Sequence, residues 1–181
     1  MGWALRPLKN YANFSGRASR AEFWWFFLFL FLLYLVVWIG MIAVVGVSAA
    51  SGSPPSLGVI GAFGIAGIFM VLFWLAMIIP TIAVQIRRLH DTDRSGWWVG
   101  GFYLGYIAYI VLMFRMLASL APADGSPPNL DSASGIGMQV FGLLFFVYSI
   151  ALLVFFCLRG TEGANRFGED PYGANIEEVF A

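Results

Sequence analysis

The sequence predicts an all-α polytopic membrane protein, a bundle of four transmembrane helices with a cytoplasmic polar cap. Three observations predict this class. Of the 181 residues, 60% are hydrophobic and only 11% are charged, whereas soluble domains are about 25% charged. Four apolar runs are each long enough to cross the roughly 30 Å hydrocarbon core of a bilayer. Lys and Arg lie almost entirely in the two tails and in the loop between the second and third runs. This distribution is typical of multi-pass proteins.

The predicted spans cover approximately residues 23–47, 57–84, 97–120 and 136–158. Helix is expected because it is the only open-ended element whose backbone groups satisfy one another in lipid. The tails, 1–22 and 159–181, and the loops are shorter than the roughly 40 residues below which a chain seldom folds unaided. The whole chain, 1–181, is therefore expected to form a single transmembrane domain.

The basic residues predict the orientation. Nine of the ten lie in the N-terminal tail, the loop between spans two and three, and the C-terminal tail: Arg6, Lys9, Arg17, Arg20, Arg87, Arg88, Arg94, Arg159 and Arg166. The other two loops, 48–56 and 122–135, contain no Lys or Arg. Short loops that are rich in these residues stay cytoplasmic. Both termini and the middle loop are therefore expected on the cytoplasmic side.

Arg115 is the exception to this pattern. It lies about 27 Å along span three from Trp97, at a rise of 1.5 Å per residue, which places it at the outer interface. There its long side chain is expected to reach the headgroups, with Asp124 and Asp131 of the adjoining loop as partners. A role in transport is the alternative hypothesis.

Local signals mark the start of span one. Ser19 and Glu22 have the spacing of a capping box, in which the serine accepts from the Glu22 amide and Glu22 reaches back. Upstream, apolar and cationic residues alternate from Trp3 to Tyr11, which indicates a short interfacial segment, although Pro7 limits it as a helix. An aromatic belt is expected at the cytoplasmic interface, formed by Phe23, Trp24, Trp25, Trp97 and Trp98.

Glycines in spans two and three predict close helix packing. They are Gly58, Gly61, Gly64 and Gly67 in span two and Gly101 and Gly105 in span three. Small residues on successive turns let helices approach closely. Spans two and three are therefore expected to pack through these faces, or to dimerise through one of them. Pro80 is expected to kink span two near its cytoplasmic end.

The polar residues concentrate in one stretch, 85–98, between spans two and three. It holds Arg87, Arg88, His90, Asp91, Asp93 and Arg94. The first hypothesis is a charge network that pins the helix ends, with Asp91 and Asp93 bridging to Arg17, Arg20 or Arg88 through bidentate contacts. The second is binding of lipid phosphate or another anion by the same arginines.

The third hypothesis is catalysis, with His90 as acid or base beside Asp91, or a metal held by His90 and the aspartates. One histidine and two carboxylates are a thin ligand set, and the single cysteine, Cys157, excludes a multi-cysteine metal site. No metal or cofactor is therefore predicted. The absence of Asp, Glu, Lys and His deep in the spans argues against an ion-coupled pump. The net charge of zero argues against a nucleic-acid partner.

Three segments carry a family resemblance: residues 14–24, residues 87–98, and residues 160–171 with Asn165 and Arg166. Together they resemble the bacterial inner-membrane family known as domain of unknown function 805 (DUF805). The resemblance covers nearly the whole chain, although the family more often has proline where Glu169 stands. It implies a small multi-span protein of the inner, or plasma, membrane, and it brings no established activity or catalytic residue.

The resemblance also suggests that the three cytoplasmic motifs act together as one polar cap. Its expected members are Arg17, Arg20, Glu22, Arg87, Arg88, His90, Asp91, Asp93, Arg94, Asn165 and Arg166. The expected role is non-catalytic: the cap would engage membrane lipid headgroups or a partner membrane protein. The alternatives are a small oligomeric transporter or channel and, third, a membrane enzyme that acts on a phosphorylated lipid.

Overall fold

A computed structural model of the chain describes residues 2–50, 56–120 and 132–172. Five helices lie in these ranges: α1 (Gly2–Lys9), α2 (Arg20–Ala50), α3 (Leu57–Asp91), α4 (Trp97–Leu120) and α5 (Ser132–Cys157). The described residues contain no strand, and their one β-type feature is an isolated bridge between Asn165 and Gly168. Helices α2 to α5 are each long and apolar enough to cross a membrane. The prediction of an all-α fold with four spans is confirmed.

Helix α3 extends beyond the predicted span. The sequence predicts a loop over residues 85–91, whereas the helix continues to Asp91. Neither Gly nor Pro interrupts residues 85–91, so nothing stops the helix before its carboxyl end. With 35 residues, α3 is about 52 Å long at 1.5 Å per residue. Its last turns therefore carry the charged residues beyond the apolar run.

The N-terminal segment is helical, despite the expectation that Pro7 would limit it. Pro7 lies within α1 and is buried. The helix packs against α2 and α3. Proline near the end of a short helix removes a single intrahelical bond, and its ring instead contributes to packing.

Tyr11 satisfies a backbone group that Pro80 leaves free. Pro80 lies inside α3 and has no amide to donate to the carbonyl four residues earlier, that of Ala76. The Tyr11 hydroxyl donates a hydrogen bond to this carbonyl. In lipid, a carbonyl freed by proline must find another donor. Tyr11 therefore ties the N-terminal segment to α3 at the position of the predicted kink.

The buried core lies towards one end of the bundle, which we call the cap end: the end at which α2 and α4 begin and α3 and α5 finish. The buried hydrophobic residues among those described are Ala18, Phe23, Phe26, Leu30, Ala83, Val84, Leu89, Val99, Leu152 and Phe156. Those within helices lie within ten residues of the cap end.

The glycine faces pack differently from the prediction. A Cβ added at Gly101 would lie 2.8 Å from the Tyr148 hydroxyl, and one at Gly105 would lie 2.9 Å from the Phe145 ring. These glycines therefore pack against α5, because large aromatic side chains of α5 fill the space they leave. The expectation that they pack against span two is wrong.

The glycine face of span two has few neighbours. A Cβ added at Gly61, Gly64 or Gly67 meets no atom within 4 Å among the described residues, and one at Gly58 meets the Ser56 hydroxyl at 3.8 Å. The alternative, that this face dimerises, stays a prediction.

The outer loops lie largely outside the described residues. Asp124 and Asp131, the predicted partners of Arg115, fall in this part of the chain, and Arg115 itself is exposed on α4.

Candidate functional site

Three charged residues form the centre of the cap end: Arg17, Arg88 and Asp91, which we call the Asp91 network. Arg17 donates from Nε to Asp91 Oδ1 at 3.0 Å, and Arg88 donates from Nη1 to Asp91 Oδ2. All three side chains are at most 2% exposed. Two positive charges thus share one carboxylate in a site that excludes water, where charge-assisted bonds are strong.

The remaining nitrogens of the two guanidinium groups donate to backbone carbonyls. Arg17 donates to the Gly163 and Thr161 oxygens at 2.5 and 2.6 Å. Arg88 donates to the Phe156 oxygen at 3.1 Å and to the Leu158 oxygen. Carbonyls in the last turn of a helix lack intrahelical donors, so Arg88 caps the carboxyl end of α5.

The tail after α5 caps α3 in return. The Thr161 amide donates to the Asp91 carbonyl at 2.8 Å, and the Asn165 side chain donates to the His90 carbonyl at 2.9 Å. The carboxyl end of α5 is therefore capped by a side chain of α3, and the carboxyl end of α3 is capped by the tail that follows α5. This reciprocal capping explains why Arg88 and Asn165, 77 residues apart in the sequence, serve one structure.

Glycine is required where the tail crosses the Asp91 network. A Cβ added at Gly160 would lie 2.6 Å from Asp91 Cγ, which is closer than any real contact.

A second glycine is required in the segment before α2. Gly16 has a φ of +82°, which glycine adopts without the steric cost that other residues bear.

His90 joins the first and third segments. Its Nδ1 lies 3.1 Å from the Gly16 carbonyl, and its ring stacks on Phe167 at 3.9 Å between centroids. A carbonyl only accepts, so Nδ1 carries the proton in this hydrogen bond. These contacts hold the ring between two loops of the cap end.

A second buried ion pair joins α2 to α3. Arg87 Nη2 lies 2.8 Å from Glu22 Oε1, and both side chains are 5% exposed. The capping box is half formed: the Glu22 amide donates to the Ser19 hydroxyl at 3.1 Å. The Glu22 carboxylate is turned towards Arg87 rather than back to Ser19.

The remaining charged residues of the prediction lie nearer the surface. Arg166 pairs with Asp93 at 3.0 Å in an exposed contact, and the Arg94 guanidinium lies 3.8 Å from the centroid of the Phe155 ring. Asp93 therefore pairs with the tail instead of the predicted arginines Arg17, Arg20 or Arg88. Its φ of +55° turns the chain away from α3 just after the helix ends.

Arg20 stays outside the Asp91 network. Within residues 2–50, 56–120 and 132–172 its guanidinium has no hydrogen bond and no ion pair. It lines a cavity of ≈ 570 Å³ between the start of α2 and the tail. The described residues include no group of three or more His, Cys, Asp or Glu that could hold a metal ion.

The sequence interpretation missed several groups that the cap end uses. They are Gly16, Gly160, Thr161, Gly163 and Phe167, together with Tyr11. Most act through backbone atoms or lack charge, so a search for charged and catalytic residue types does not find them. Gly16, Gly160, Thr161, Gly163 and Phe167 belong to the three family-like segments, which is their one signal in the sequence, whereas Tyr11 belongs to the predicted interfacial segment.

Comparisons with known proteins agree with this architecture. The chain is similar to the inner membrane protein YhaI of Escherichia coli (strain K12), with 34% identity over 106 residues that cover 58% of this chain and 56% of YhaI. It is similar to the inner membrane protein YhaH of the same organism, with 30% identity over 104 residues that cover 58% of this chain and 53% of YhaH. The chain thus spans about half the length of the curated relatives it matches.

No solved structure matches the chain. The family model described as "Protein of unknown function (DUF805)" matches residues 11–169, a range that includes the Asp91 network and all four long helices. The resemblance seen in the three segments is confirmed, and the chain belongs to the DUF805 family of membrane proteins.

Proposed function

We propose that this protein is a non-catalytic component of the bacterial inner membrane that engages lipid headgroups at its cap end, with both termini in the cytoplasm. The observation that carries the proposal is Arg20. Its guanidinium has no hydrogen bond or ion pair among the described residues, and it precedes the exposed aromatic pair Trp24 and Trp25. Aromatic residues of this kind sit at the level of the headgroups.

The Asp91 network supports a division of roles among the arginines. Every guanidinium nitrogen of Arg17 and Arg88 donates to a carboxylate or a carbonyl of the chain itself. These two residues are therefore structural, and headgroup contact falls to Arg20. This assignment narrows the broader set of cap residues that the sequence suggested for headgroup binding.

Native mass spectrometry of the purified protein tests the proposal, because it reports retained lipid and subunit count together. We expect Arg20→Gln to lower the number of retained phospholipids, because it removes the unpaired charge. Arg166→Gln is the matched control, since it removes an exposed arginine at the same end that already pairs with Asp93. Protein that retains no lipid, or equal retention in both variants, would contradict the proposal.

The orientation has its own test. Fluorescent-protein fusions at either terminus should fluoresce, and alkaline phosphatase fusions at the same positions should be inactive, because both termini are proposed to be cytoplasmic. The reverse result at either terminus would overturn the proposed orientation. The subunit count addresses the rival hypothesis, a transporter or channel assembled from several copies.

A further inference from the structure

The cavity beside Arg20 carries a more specific inference, which rests on the proposed function and names the lipid class. We call it the Arg20 cavity. Its charged lining comprises Arg17, Arg20, Arg159, Asp91, Glu162 and Asp170. At ≈ 570 Å³ it has the volume of typical small-ligand sites, which range from about 300 to 1,000 Å³.

The charges of this lining balance, with three arginines and three carboxylates. Arg17 and Asp91 are committed to each other in the buried network. Arg159 and Glu162 form an ion pair of 3.0 Å, but both side chains are more than three-quarters exposed. Such exposed pairs contribute little and exchange readily with other partners.

Two unmatched charges remain in the cavity. Arg20 has no ion pair among the described residues. Asp170 accepts hydrogen bonds from the Gly163 and Tyr172 amides at 3.2 and 2.9 Å, and no cation pairs with it in the described part of the chain. The cavity thus presents an unmatched positive group and an unmatched negative group. This pattern fits a ligand that carries both charges better than a simple anion.

An apolar groove continues from the same arginine. Arg20 also lines an open hollow of ≈ 520 Å³, together with Ala21, Trp24, Trp25, Leu28 and Cys157, which we call the α2 groove. Arg20, Trp24 and Leu28 follow the four-residue spacing that places side chains on one face of a helix. Arg20 therefore stands where a charged cavity meets an apolar surface on a membrane-spanning helix.

We propose that the Arg20 cavity and the α2 groove bind one zwitterionic membrane phospholipid with a primary ammonium headgroup. The phosphate diester lies against Arg20, whose planar fork matches phosphate oxygens. The ammonium group donates to the carboxylates of Asp170 and Glu162, and an acyl chain follows Trp24 and Leu28. A glycerol headgroup carries no positive charge, so it cannot form an ion pair with the carboxylates of Asp170 and Glu162.

Headgroup competition tests this proposal. The full chain is placed in nanodiscs that contain equal amounts of phosphatidylethanolamine and phosphatidylglycerol with identical acyl chains. The lipids that remain bound after release are then measured by native mass spectrometry. We expect the ethanolamine lipid to be enriched by about fivefold, the ratio that corresponds to one exposed ion pair. Equal retention or enrichment of the glycerol lipid would overturn the proposal.

Variants separate the two halves of the headgroup. Glu162→Gln and Asp170→Asn should each weaken the preference and together abolish it, while total retained lipid stays the same. Glu162 is exposed, so Glu162→Gln leaves the fold intact. It therefore tests the assignment even if Asp170→Asn weakens the tail. Glu169→Gln is the matched control, because Glu169 is exposed on the same tail and does not line the cavity. A preference that survives in the double variant would contradict the assigned carboxylates.

The outcomes distinguish this inference from the function on which it rests. Lipid that is retained without preference between the headgroups contradicts the inference and leaves headgroup engagement in place. Lipid retention that is equal in wild type and Arg20→Gln contradicts the proposed function as well.

Discussion

The two ends of the helix bundle are built in different ways. At the cap end, Arg17 and Arg88 share the Asp91 carboxylate and donate to carbonyls of the tail and of α5. Towards the opposite end, a Cβ at Gly61 or Gly64 of α3 would meet no atom of the described chain within 4 Å. The cap end is therefore fixed by specific polar contacts, whereas the glycine face of α3 towards the opposite end is apolar and has no close neighbour among the described residues.

This difference follows from the solvent. Lipid tails are as apolar as leucine, so helices in a bilayer gain no hydrophobic free energy by packing together. Small residues, aromatic contacts and hydrogen bonds must specify the arrangement instead. The α4–α5 pair uses the first two, since Phe145 packs beside Gly105 and stacks on Phe102. The cap end uses hydrogen bonds and ion pairs, which predicts that mutations there are far more damaging.

The largest effect is expected from Asp91→Asn. This change leaves two buried guanidinium groups without a counter-charge, and removing one partner of a buried ion pair costs about 3–5 kcal/mol. Unfolding in mixed micelles, followed by circular dichroism, measures the loss. Asp93→Asn is the matched control, because Asp93 lies two residues away and pairs with Arg166 in an exposed contact. Equal losses in the two variants would show that burial of the network is unimportant.

The structure also changes what a charge swap should do. If charge pairing alone held the network together, Arg88→Asp would destabilise the protein and the opposite change, Asp91→Arg, would partly rescue it. In the structure, Arg88 donates to the Phe156 and Leu158 carbonyls, and an aspartate only accepts. The swapped pair would therefore face two carbonyls with no donor, and we expect little rescue. Substantial recovery would indicate that charge alone matters at this site.

Gly160→Ala should have the next largest effect. The added Cβ would lie 2.6 Å from Asp91 Cγ, so the tail or the network must move, and overpacking of this kind costs about 1–3 kcal/mol. The same unfolding measurement applies. Gly137→Ala serves as the control, since its Cβ meets no described atom within 4 Å. A neutral Gly160→Ala would mean that the tail does not cross the network so closely.

The sequence could predict the spans but not the pairing at the cap end. Uncharged runs of sufficient length identify transmembrane helices because lipid imposes one simple requirement on them. Arg17 and Arg20 look equivalent in the sequence, and so do Asp91 and Asp93. Which of each pair is buried depends on where α2 begins and α3 ends. Helical continuation to Asp91 places it three residues after Arg88, whereas Asp93 follows the helix end.

Tyr11→Phe is expected to have a moderate effect on the link between the N-terminal segment and α3. The hydroxyl donates to the Ala76 carbonyl that Pro80 leaves free, and a net contribution of about 0.5–1.5 kcal/mol is typical of one hydrogen bond. Repeating the change in a Pro80→Ala background tests the cause. Alanine restores the amide at position 80, so Tyr11→Phe should then be nearly neutral. An equal loss in both backgrounds would assign the effect to packing.

The smallest effect is expected at the opposite end, where Gly64→Leu should change the free energy of unfolding by no more than about 0.5 kcal/mol, as for an exposed substitution. Gly105→Leu is the contrasting variant, because its Cβ would lie 2.9 Å from the Phe145 ring and the larger side chain must separate α4 from α5. If the loss of stability caused by Gly64→Leu instead grows as protein concentration rises, a second copy covers the glycine face of α3 in the wild type. Bulk on a small-residue face then blocks helix association, and the apolar end would be an interface rather than a lipid-facing surface.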